Sequence, residues 1–231
     1  DPGRIIISGF SKDGERVTAY AIMGRSENSR NRVFRLKDGI LETKAYDESK
    51  VKDPSLIIYK AKAEIDGKTI ISNGDQTDTI LDSLEEGKTF EDALMKRTYE
   101  PDAPSFTPRI SMIMNSDSYS LSIIRRKDEK PERLIWTYGA FNGICHTIHT
   151  YDEGGAPLPS FSSSPVPLYL PDSFEEFRDT LWNSLDKDNR ISLYVSWGGK
   201  EEVINANEGG RTDKIELKYG PNPNQKPASI S

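Results

Sequence analysis

Short runs rich in β-branched residues, each stopped by glycine, proline, asparagine or aspartate, recur along this sequence and constrain its fold more than any other feature. Runs of this length and composition are typical of β-strands. Asp13-Gly14, Asp38-Gly39 and Asp66-Gly67 lie between successive runs and predict tight hairpin turns. The predicted strands span residues 4–9, 17–24, 32–36, 40–45, 55–64, 68–72, 109–115, 118–125, 133–139, 144–151, 191–197, 201–205 and 213–219.

Helical spacing of apolar residues interrupts this pattern in three places, at residues 77–85, 89–99 and 173–186. The last is the clearest, because Ser173 and Glu176 form a capping-box pattern ahead of an aromatic stripe. The order of elements is strands, helices, strands, helix, strands. This order predicts an α+β fold in which two stacked, mostly antiparallel sheets carry the helices on their outer faces.

We expect one domain over residues 1–220 and a disordered polar tail over residues 221–231. Residues 154–171 hold five prolines and a serine run, and they form a connection too long for an idle loop. This segment is therefore expected to be functional or to act as a mobile cover.

The charge balance excludes several classes of partner. The net charge is −6 and the pI about 5.2, which argues against binding to nucleic acid or to an anionic membrane. No apolar run reaches the roughly 18 residues needed to span a bilayer. One cysteine and two histidines make an intrachain disulfide impossible and a transition-metal site unexpected, which fits a cytoplasmic protein.

An unusually polar stretch, Ser72–Thr79, follows the strand predicted at 68–72 and precedes the first predicted helix. Asn73-Gly74 can turn sharply, and Thr77 or Asp78 can cap the helix. Eight residues are more than a capped turn requires. At a helix N-terminus, such a stretch can also hold an anion. Both interpretations stay open on these residues alone.

Basic residues cluster between positions 25 and 38, where five arginines and lysines are accompanied by only two acidic residues, Glu27 and Asp38. A local basic patch on an acidic protein suits a small anionic ligand, and arginine binds phosphate through two parallel hydrogen bonds. The alternative is a solvated strand edge. Cys145 and His146 are a poor catalytic pair, because adjacent residues of a strand point to opposite faces.

Several motifs in this order resemble the archaeal-type IMP cyclohydrolase family. The resemblance extends through roughly residues 3–151 and continues weakly through Phe161 and the 173–186 helix. Its most specific part is the block from Ser72 to Ile80, followed about thirty residues later by Thr107-Pro108-Arg109. The other motifs are Gly3-Arg4, Ala19-Tyr20, Arg25-Ser26 with Asn28 and Arg30, Tyr59, Tyr99-Glu100 and Thr150-Tyr151.

The resemblance implies a fold, a reaction and an assembly. The fold is a four-layered αββα sandwich like that of the N-terminal-nucleophile hydrolases. The reaction closes the purine ring, because 5-formamidoimidazole-4-carboxamide ribotide loses water to give IMP. The family implies no metal or organic cofactor, a purine ribonucleotide as substrate and product, and a homo-oligomer.

The resemblance also implies roles for particular residues. Arg30 is expected to stabilise the developing oxyanion, Glu100 to exchange a proton with the carboxamide, and Tyr59 to donate a proton or orient the substrate. The sequence reads Arg30-Asn31-Arg32, so Arg32 is the alternative functional arginine. Arg25 and Arg109 are candidates for the phosphate, and the remaining candidate substrate-binding residues are Ser26, Asn73, Gly74, Thr77 and Asp78.

Two other functions are compatible with the residues. An amide hydrolase on the same kind of fold needs a Ser, Thr or Cys at a processed N-terminus, and Asp1-Pro2-Gly3 offers none. A non-catalytic nucleotide-binding protein would keep the arginines but would need no acid–base pair. The presence of Arg30, Tyr59 and Glu100 together favours an enzyme.

Overall fold

The computed structural model describes residues 3–153, 155–210 and 212–216, whose strands form two sheets of seven strands each. Strands are numbered in chain order. In spatial order, the first sheet contains β11 (Val166–Tyr169), β10 (Ile144–His149), β1 (Arg4–Phe10), β2 (Arg16–Met23), β12 (Arg190–Trp197), β13 (Lys200–Asn205) and β14 (Thr212–Glu216). The second contains β3 (Arg32–Lys37), β4 (Ile40–Ala45), β5 (Lys60–Ile65), β6 (Lys68–Ser72), β7 (Arg109–Met114), β8 (Ser118–Lys127) and β9 (Lys130–Gly139).

The two sheets differ in how the chain builds them. The second is a meander in which every strand pairs with its neighbours in sequence. The first joins strands from both ends of the chain, since β2 pairs with β12 as well as with β1. All paired strands run antiparallel. The predicted α+β fold with two mostly antiparallel sheets is therefore confirmed.

The described residues also form four α-helices: α1 (Glu27–Arg30), α2 (Gln76–Glu85), α3 (Phe90–Met95) and α4 (Phe174–Ser184). Helix α4 begins as predicted, because the Ser173 hydroxyl accepts the N–H of Glu176. Helix α3 has a capping box formed by Thr89 and Asp92 but stops well before Tyr99, since the chain tightens into three-residue turns after Ala93. None of the helices in the described ranges is long and apolar enough to cross a bilayer.

Three clusters of buried apolar side chains hold these elements together. The largest combines the inward faces of both sheets, with Ile6 and Tyr20 from the first and Phe34 and Met112 from the second. Another packs the first sheet against α4, and the third packs the second sheet against α2 and α3. Each fully buried side chain of this size contributes about 1.5–3 kcal/mol.

The structure corrects the sequence-based boundaries in several places. The strand predicted over 55–64 begins only at Lys60, because Asp53 caps a short 3-10 helix over Pro54–Leu56. The basic stretch, for which no helix was predicted, contains α1, capped by Ser26. The connection at 154–171 contains the edge strand β11. The predicted strand at 213–219 overlaps β14, and the tail at 221–231 lies outside the described residues.

Lys62 on β5 is a buried cation whose partners come from three parts of the chain. Its Nζ donates to Gly39 O at 2.9 Å and to Glu64 Oε1 at 3.0 Å, and it lies 3.5 Å from Glu201 Oε1. Glu201 is buried as well. Burial raises the pKa of Glu201, and the Lys62 ammonium partly offsets that rise. This cluster joins the second sheet to β13 of the first.

Replacing this buried cation is expected to leave a carboxylate without compensation. We expect Lys62→Met to lower the free energy of unfolding at pH 7 by about 3 kcal/mol, measured by urea denaturation. The loss should shrink at acidic pH, where Glu201 can take up a proton. Lys60→Met is the matched control on the same strand, because its ion pair with Asp78 is exposed and should cost less than about 1 kcal/mol. Equal losses for the two variants would contradict this interpretation.

Candidate functional site

A cleft of about 370 Å³ opens where β1, β2 and β3 begin or end at one edge of the two sheets. This volume is within the range of small-molecule sites. Gly3 and Arg4 line it from β1, and the turn between β2 and β3 contributes residues from Met23 to Ser29. Arg32 from β3, the loop at 102–107 and Tyr151 complete most of the wall.

Two arginines place positive charge together in this cleft. Arg32 is 2% exposed, and its Nε donates to Ser29 O at 2.7 Å. Burial lowers the pKa of Arg32 to about 10, with a further contribution from the charge of Arg4. The Nε of Arg4 is buried and has no hydrogen-bond partner among the described residues. Neither guanidinium forms an ion pair among the described residues, so an anionic or strongly polarised ligand would give each a direct partner. Burial opposes the charge of Arg4, but Tyr59, Tyr20 and nearby Glu100 outweigh it and raise the pKa of Arg4.

Two tyrosine hydroxyls lie close to these charges. Tyr20 and Tyr59 are buried, and their hydroxyl oxygens are 2.6 Å apart. Burial, reinforced by Tyr59, raises the pKa of Tyr20 well above its ordinary value. The Tyr20 ring stacks on Phe34 with a centroid distance of 5.5 Å. Because one hydrogen bond between two hydroxyls uses one proton, the pair keeps a second proton to donate.

Glu100 belongs to a chain of charges behind the cleft. Its Oε1 is 2.9 Å from Arg109 Nη1, and the same nitrogen is 2.9 Å from Asp75 Oδ1. The Glu100 side chain is 12% exposed. Burial raises the pKa of this carboxyl, although Arg109 and Arg4 oppose the rise. Glu100 therefore has the partial burial and the nearby charges that suit a proton-transfer group.

A second hydrogen-bonded chain forms the wall on the other side of Arg4. The Thr107 backbone N–H donates to Asp102 Oδ1 at 2.7 Å, and its hydroxyl donates to Asp102 Oδ2 at 2.5 Å. The same hydroxyl is 2.5 Å from the hydroxyl of Tyr151. All three residues line the cleft. The sequence drew attention to Thr107 and Tyr151 only as parts of motifs and gave no sign that Asp102 would join them.

The predicted site residues Arg25 and Ser26 line the cleft, whereas Arg30 does not. The side chain of Arg30 is exposed on α1 and lines a neighbouring open cleft with Tyr46 and Lys50. The difference arises at β3. Its alternation turns Arg32 and Phe34 towards the other sheet, while α1 keeps Arg30 outside. Sequence reasoning named Arg32 only as an alternative, and it missed Arg4 and Tyr20 as site residues.

Several side chains of the polar stretch Ser72–Thr79 bind other protein groups, whereas the buried amide of Gln76 has no hydrogen-bond partner among the described residues. The side-chain amide of Asn73 donates to Pro108 O at 2.9 Å and accepts the N–H of Ile110 at 2.8 Å, which joins the end of β6 to the start of β7. The hydroxyl of Thr77 is 2.6 Å from that of Ser72. The carboxylate of Asp78 pairs with Lys60 at 2.8 Å. None of the described residues of this stretch lines the cleft.

Gly74, within this stretch, lies close to the ion pair between Glu100 and Arg109. A Cβ atom at this position would lie 3.0 Å from Arg109 Nη1 and 3.1 Å from Glu100 Oε1. The glycine thus lets the chain pass close to the ion pair. Arg109 is held further by its Nε–H, which donates to Thr98 O at 2.8 Å. Arg109 is therefore engaged with protein groups on several sides.

Cys145 and His146 diverge, as their adjacent strand positions predicted. Cys145 packs in the cluster beside α4, and burial raises its pKa to about 12. His146 points to the other face, where its Nδ1 is 2.6 Å from the Tyr119 hydroxyl and its ring stacks on Tyr138. No three His, Cys, Asp or Glu side chains are grouped as metal ligands within the described ranges.

Comparisons with known proteins agree on one family. The sequence model of a family described as "IMP cyclohydrolase-like protein" matches residues 2–202. A protein named IMP cyclohydrolase from Methanopyrus kandleri is 30% identical over 123 residues, which are 52% of this chain and 61% of the relative. One of the same name from Methanosphaera stadtmanae is 34% identical over 119 residues, 49% of this chain and 57% of the relative. The matches thus span about three fifths of each relative's length.

The close approach of Gly3 to the cleft wall can be tested through stability. A Cβ atom at Gly3 would lie 2.3 Å from Thr150 Oγ1 and 2.8 Å from Tyr151 Cδ2, and its φ is +78°. We expect Gly3→Ala to cost at least about 2 kcal/mol of unfolding free energy, because strain and overlap add. Gly87→Ala is the control, since Gly87 has a φ of +75° but no atom near its Cβ position. It should cost only about 1 kcal/mol, and a cost equal to that of Gly3→Ala would refute the packing argument.

Proposed function

Because the chain belongs to the family of IMP cyclohydrolase-like proteins, we propose that it closes the ring of 5-formamidoimidazole-4-carboxamide ribotide to give IMP and water. The observation that carries this proposal is a pair of arginines in the cleft, Arg4 and Arg32, that form no ion pair among the described residues and lie close to the hydroxyls of Tyr20 and Tyr59. A binding protein would need cations for the phosphate. It would not need charge concentrated beside a proton-donating hydroxyl pair.

The reaction determines what the cleft must provide. The carboxamide nitrogen attacks the formyl carbon of the same molecule, so a base must remove a proton from that nitrogen. The formyl oxygen gains negative charge and later leaves as water, which requires a cation and a proton donor. Holding the two groups in the attack conformer supplies a large part of the acceleration.

We assign the developing oxyanion to Arg32 in place of Arg30. Arg32 is buried beside Arg4 and Tyr59, where a charge-assisted hydrogen bond is stronger than in water. Arg30 is exposed on the far side of α1. Tyr59, paired with Tyr20, is assigned proton donation to the departing oxygen, because the pair retains a free hydroxyl proton.

Glu100 keeps its role in proton transfer with the carboxamide. Its raised pKa brings the carboxyl nearer to the pH at which a base works efficiently. Arg109, first considered for the phosphate, is instead assigned to holding Glu100, because its guanidinium bonds to Glu100 and Asp75. Asn73, Gly74, Thr77 and Asp78 are assigned to supporting this arrangement, and Arg25 with Ser26 to binding the phosphate beside the start of α1.

The finer architecture and the assembly are part of the same proposal. The three apolar clusters support a four-layered αββα order, in which α4 covers one sheet and α2 with α3 covers the other, as in N-terminal-nucleophile hydrolases. Strands from both chain ends in one sheet support a single domain over residues 1–220.

The exposed edge strand β11, with Tyr169 at 89% exposure, supports a homo-oligomer. The reduced, buried Cys145 fits the cytoplasm.

Arg32 and Arg30 give a matched pair of variants for the enzymatic claim. Purified protein should convert the formamido ribotide to IMP, followed by absorbance. Arg32→Gln should lower kcat at least about a hundredfold, as removal of an oxyanion donor does, while Arg30→Gln should stay within about threefold of wild type. Circular dichroism and thermal melting identify variants that do not fold, and Arg32→Lys provides a milder change. Absence of turnover by wild-type protein would refute the proposed function. A larger loss of kcat in Arg30→Gln than in Arg32→Gln would instead assign the oxyanion to Arg30.

Glu100 should control the acidic side of the pH profile. If it acts as a base, kcat/KM rises with pH through its pKa, above the ordinary value of about 4.3. Glu100→Gln should lower kcat at least about a hundredfold and abolish this rise. Removing the neighbouring positive charge in Arg109→Gln should raise the pKa further and move the rise by about one pH unit upward.

Arg97→Gln is the control for this shift, because Arg97 pairs with Asp75 but not with Glu100. Its pH profile should coincide with that of wild type. A shift in Arg97→Gln equal to that in Arg109→Gln would mean that general charge, and not the Glu100–Arg109 pair, sets the profile.

A further inference from the structure

The hydrogen-bonded chain Asp102–Thr107–Tyr151 has a direction that its donors and acceptors determine. Asp102 receives two hydrogen bonds, from the Thr107 N–H at Oδ1 and from the Thr107 hydroxyl at Oδ2. A carboxylate that accepts at both oxygens acts only as an acceptor. The single hydroxyl proton of Thr107 is therefore committed to Asp102.

The same reasoning determines the direction of the last bond. The Thr107 and Tyr151 oxygens are 2.5 Å apart, so one must donate to the other. Thr107 has no second proton to give. The Tyr151 hydroxyl must therefore donate to Thr107, which commits its only proton to that oxygen. Tyr151 lines the cleft, and its hydroxyl oxygen keeps lone pairs but has no proton left to donate.

Tyr151 is fixed in this position from several sides. Its backbone pairs with Ser160, and the Nδ1–H of His149 donates to its carbonyl oxygen at 2.8 Å. The absence of a side chain at Gly3 makes room for its ring. Only 8% of the residue is exposed. The packing fixes the hydroxyl oxygen beside Thr107, and turning its proton elsewhere would break the hydrogen bond to Thr107.

We propose that Tyr151 is a hydrogen-bond acceptor for an N–H group of the substrate, and that Asp102 and Thr107 are positioning residues that impose this polarity. This inference rests on the proposed function for the identity of the ligand. The cleft would then contain donors, Arg4 and Arg32, and an acceptor, Tyr151. The carboxamide of the substrate and the ring of IMP both carry N–H groups, so this acceptor would select them.

Ligand pairs that differ in one N–H provide the first test. IMP carries a proton on ring nitrogen N1, whereas purine riboside 5′-monophosphate has a lone pair there. Wild-type protein should bind IMP at least about tenfold more tightly in calorimetry, because an acceptor facing a lone pair stays unpaired. Asp102→Asn lets an amide N–H donate to Thr107 and so reverses the chain. This variant should reduce the preference to about onefold or invert it.

Two further variants and a control separate polarity from structure. Thr107→Val should also remove the preference, while Thr107→Ser should restore it, because serine keeps the hydroxyl. Asp172→Asn makes the same chemical change at an exposed ion pair with Lys12 and should leave the preference intact. In a Tyr151→Phe background, Asp102→Asn should have no further effect on kcat/KM. An undiminished preference in Asp102→Asn would overturn the proposal, as would full additivity with Tyr151→Phe.

A spectroscopic measurement keeps this inference separate from the proposed function. The ten tyrosines can be labelled with ¹³C at the ζ carbon, and the signal lost in Tyr151→Phe identifies Tyr151. This signal should shift in Asp102→Asn and Thr107→Val but not in Thr107→Ser or Asp172→Asn. A wild-type protein that neither forms nor binds IMP would refute the proposed function. A shift of the Tyr151 signal in Asp102→Asn and Thr107→Val would still establish the hydrogen bonds from Tyr151 to Thr107 and from Thr107 to Asp102. If the Tyr151 signal does not move in either variant, the proposed hydrogen-bonded series is refuted, whatever the enzymatic activity.

Discussion

Packing of the inner faces of the two sheets is the constraint on which the other features depend. Side chains on a strand alternate between faces, so the inward position of Ile6 also turns Arg4 inward, and that of Phe34 turns Arg32 inward. Both arginines lie at the first residue of their strands, where the apolar interior ends. The strand register required by the core thus places two positive charges, those of Arg4 and Arg32, at the same edge of the molecule. The cleft is a consequence of strand register as much as of loop structure.

Much of the fold was predictable because its signals are local. The β-branched runs and the turn residues, which predicted the two antiparallel sheets, and the Ser173 cap of α4 each depend on a few neighbouring residues. The predictions differed from the structure where tertiary contacts decide. β11 exists because β10 offers it an edge to pair with, and α3 ends early where the chain turns towards Asp75 and Arg109. Nothing in the local sequence reports such partners.

The candidate site was predictable to a smaller extent, because a motif marks residues without saying which way they face. Sequence reasoning named Glu100, Tyr59 and Arg25, and the structure places Arg25 in the cleft with the other two near its charges. It could not distinguish Arg30 from Arg32, since a four-residue helix changes the periodicity between them. The polar stretch from Ser72 to Thr79 looked like a ligand-binding loop because buried junctions and binding loops both need short polar side chains.

The different construction of the two sheets has a consequence for how the chain folds during synthesis. The second sheet, β3 to β9, uses contacts between successive segments, which form quickly and can form before the C-terminal strands have been made. The first sheet must wait, because Tyr20 on β2 pairs with Tyr194 on β12. Until β12 is made, β2 lacks one neighbour and exposes an unpaired edge. The region around Tyr20 and Arg4 therefore matures late, and nascent chains are most prone to mispairing at the strands that later form the cleft.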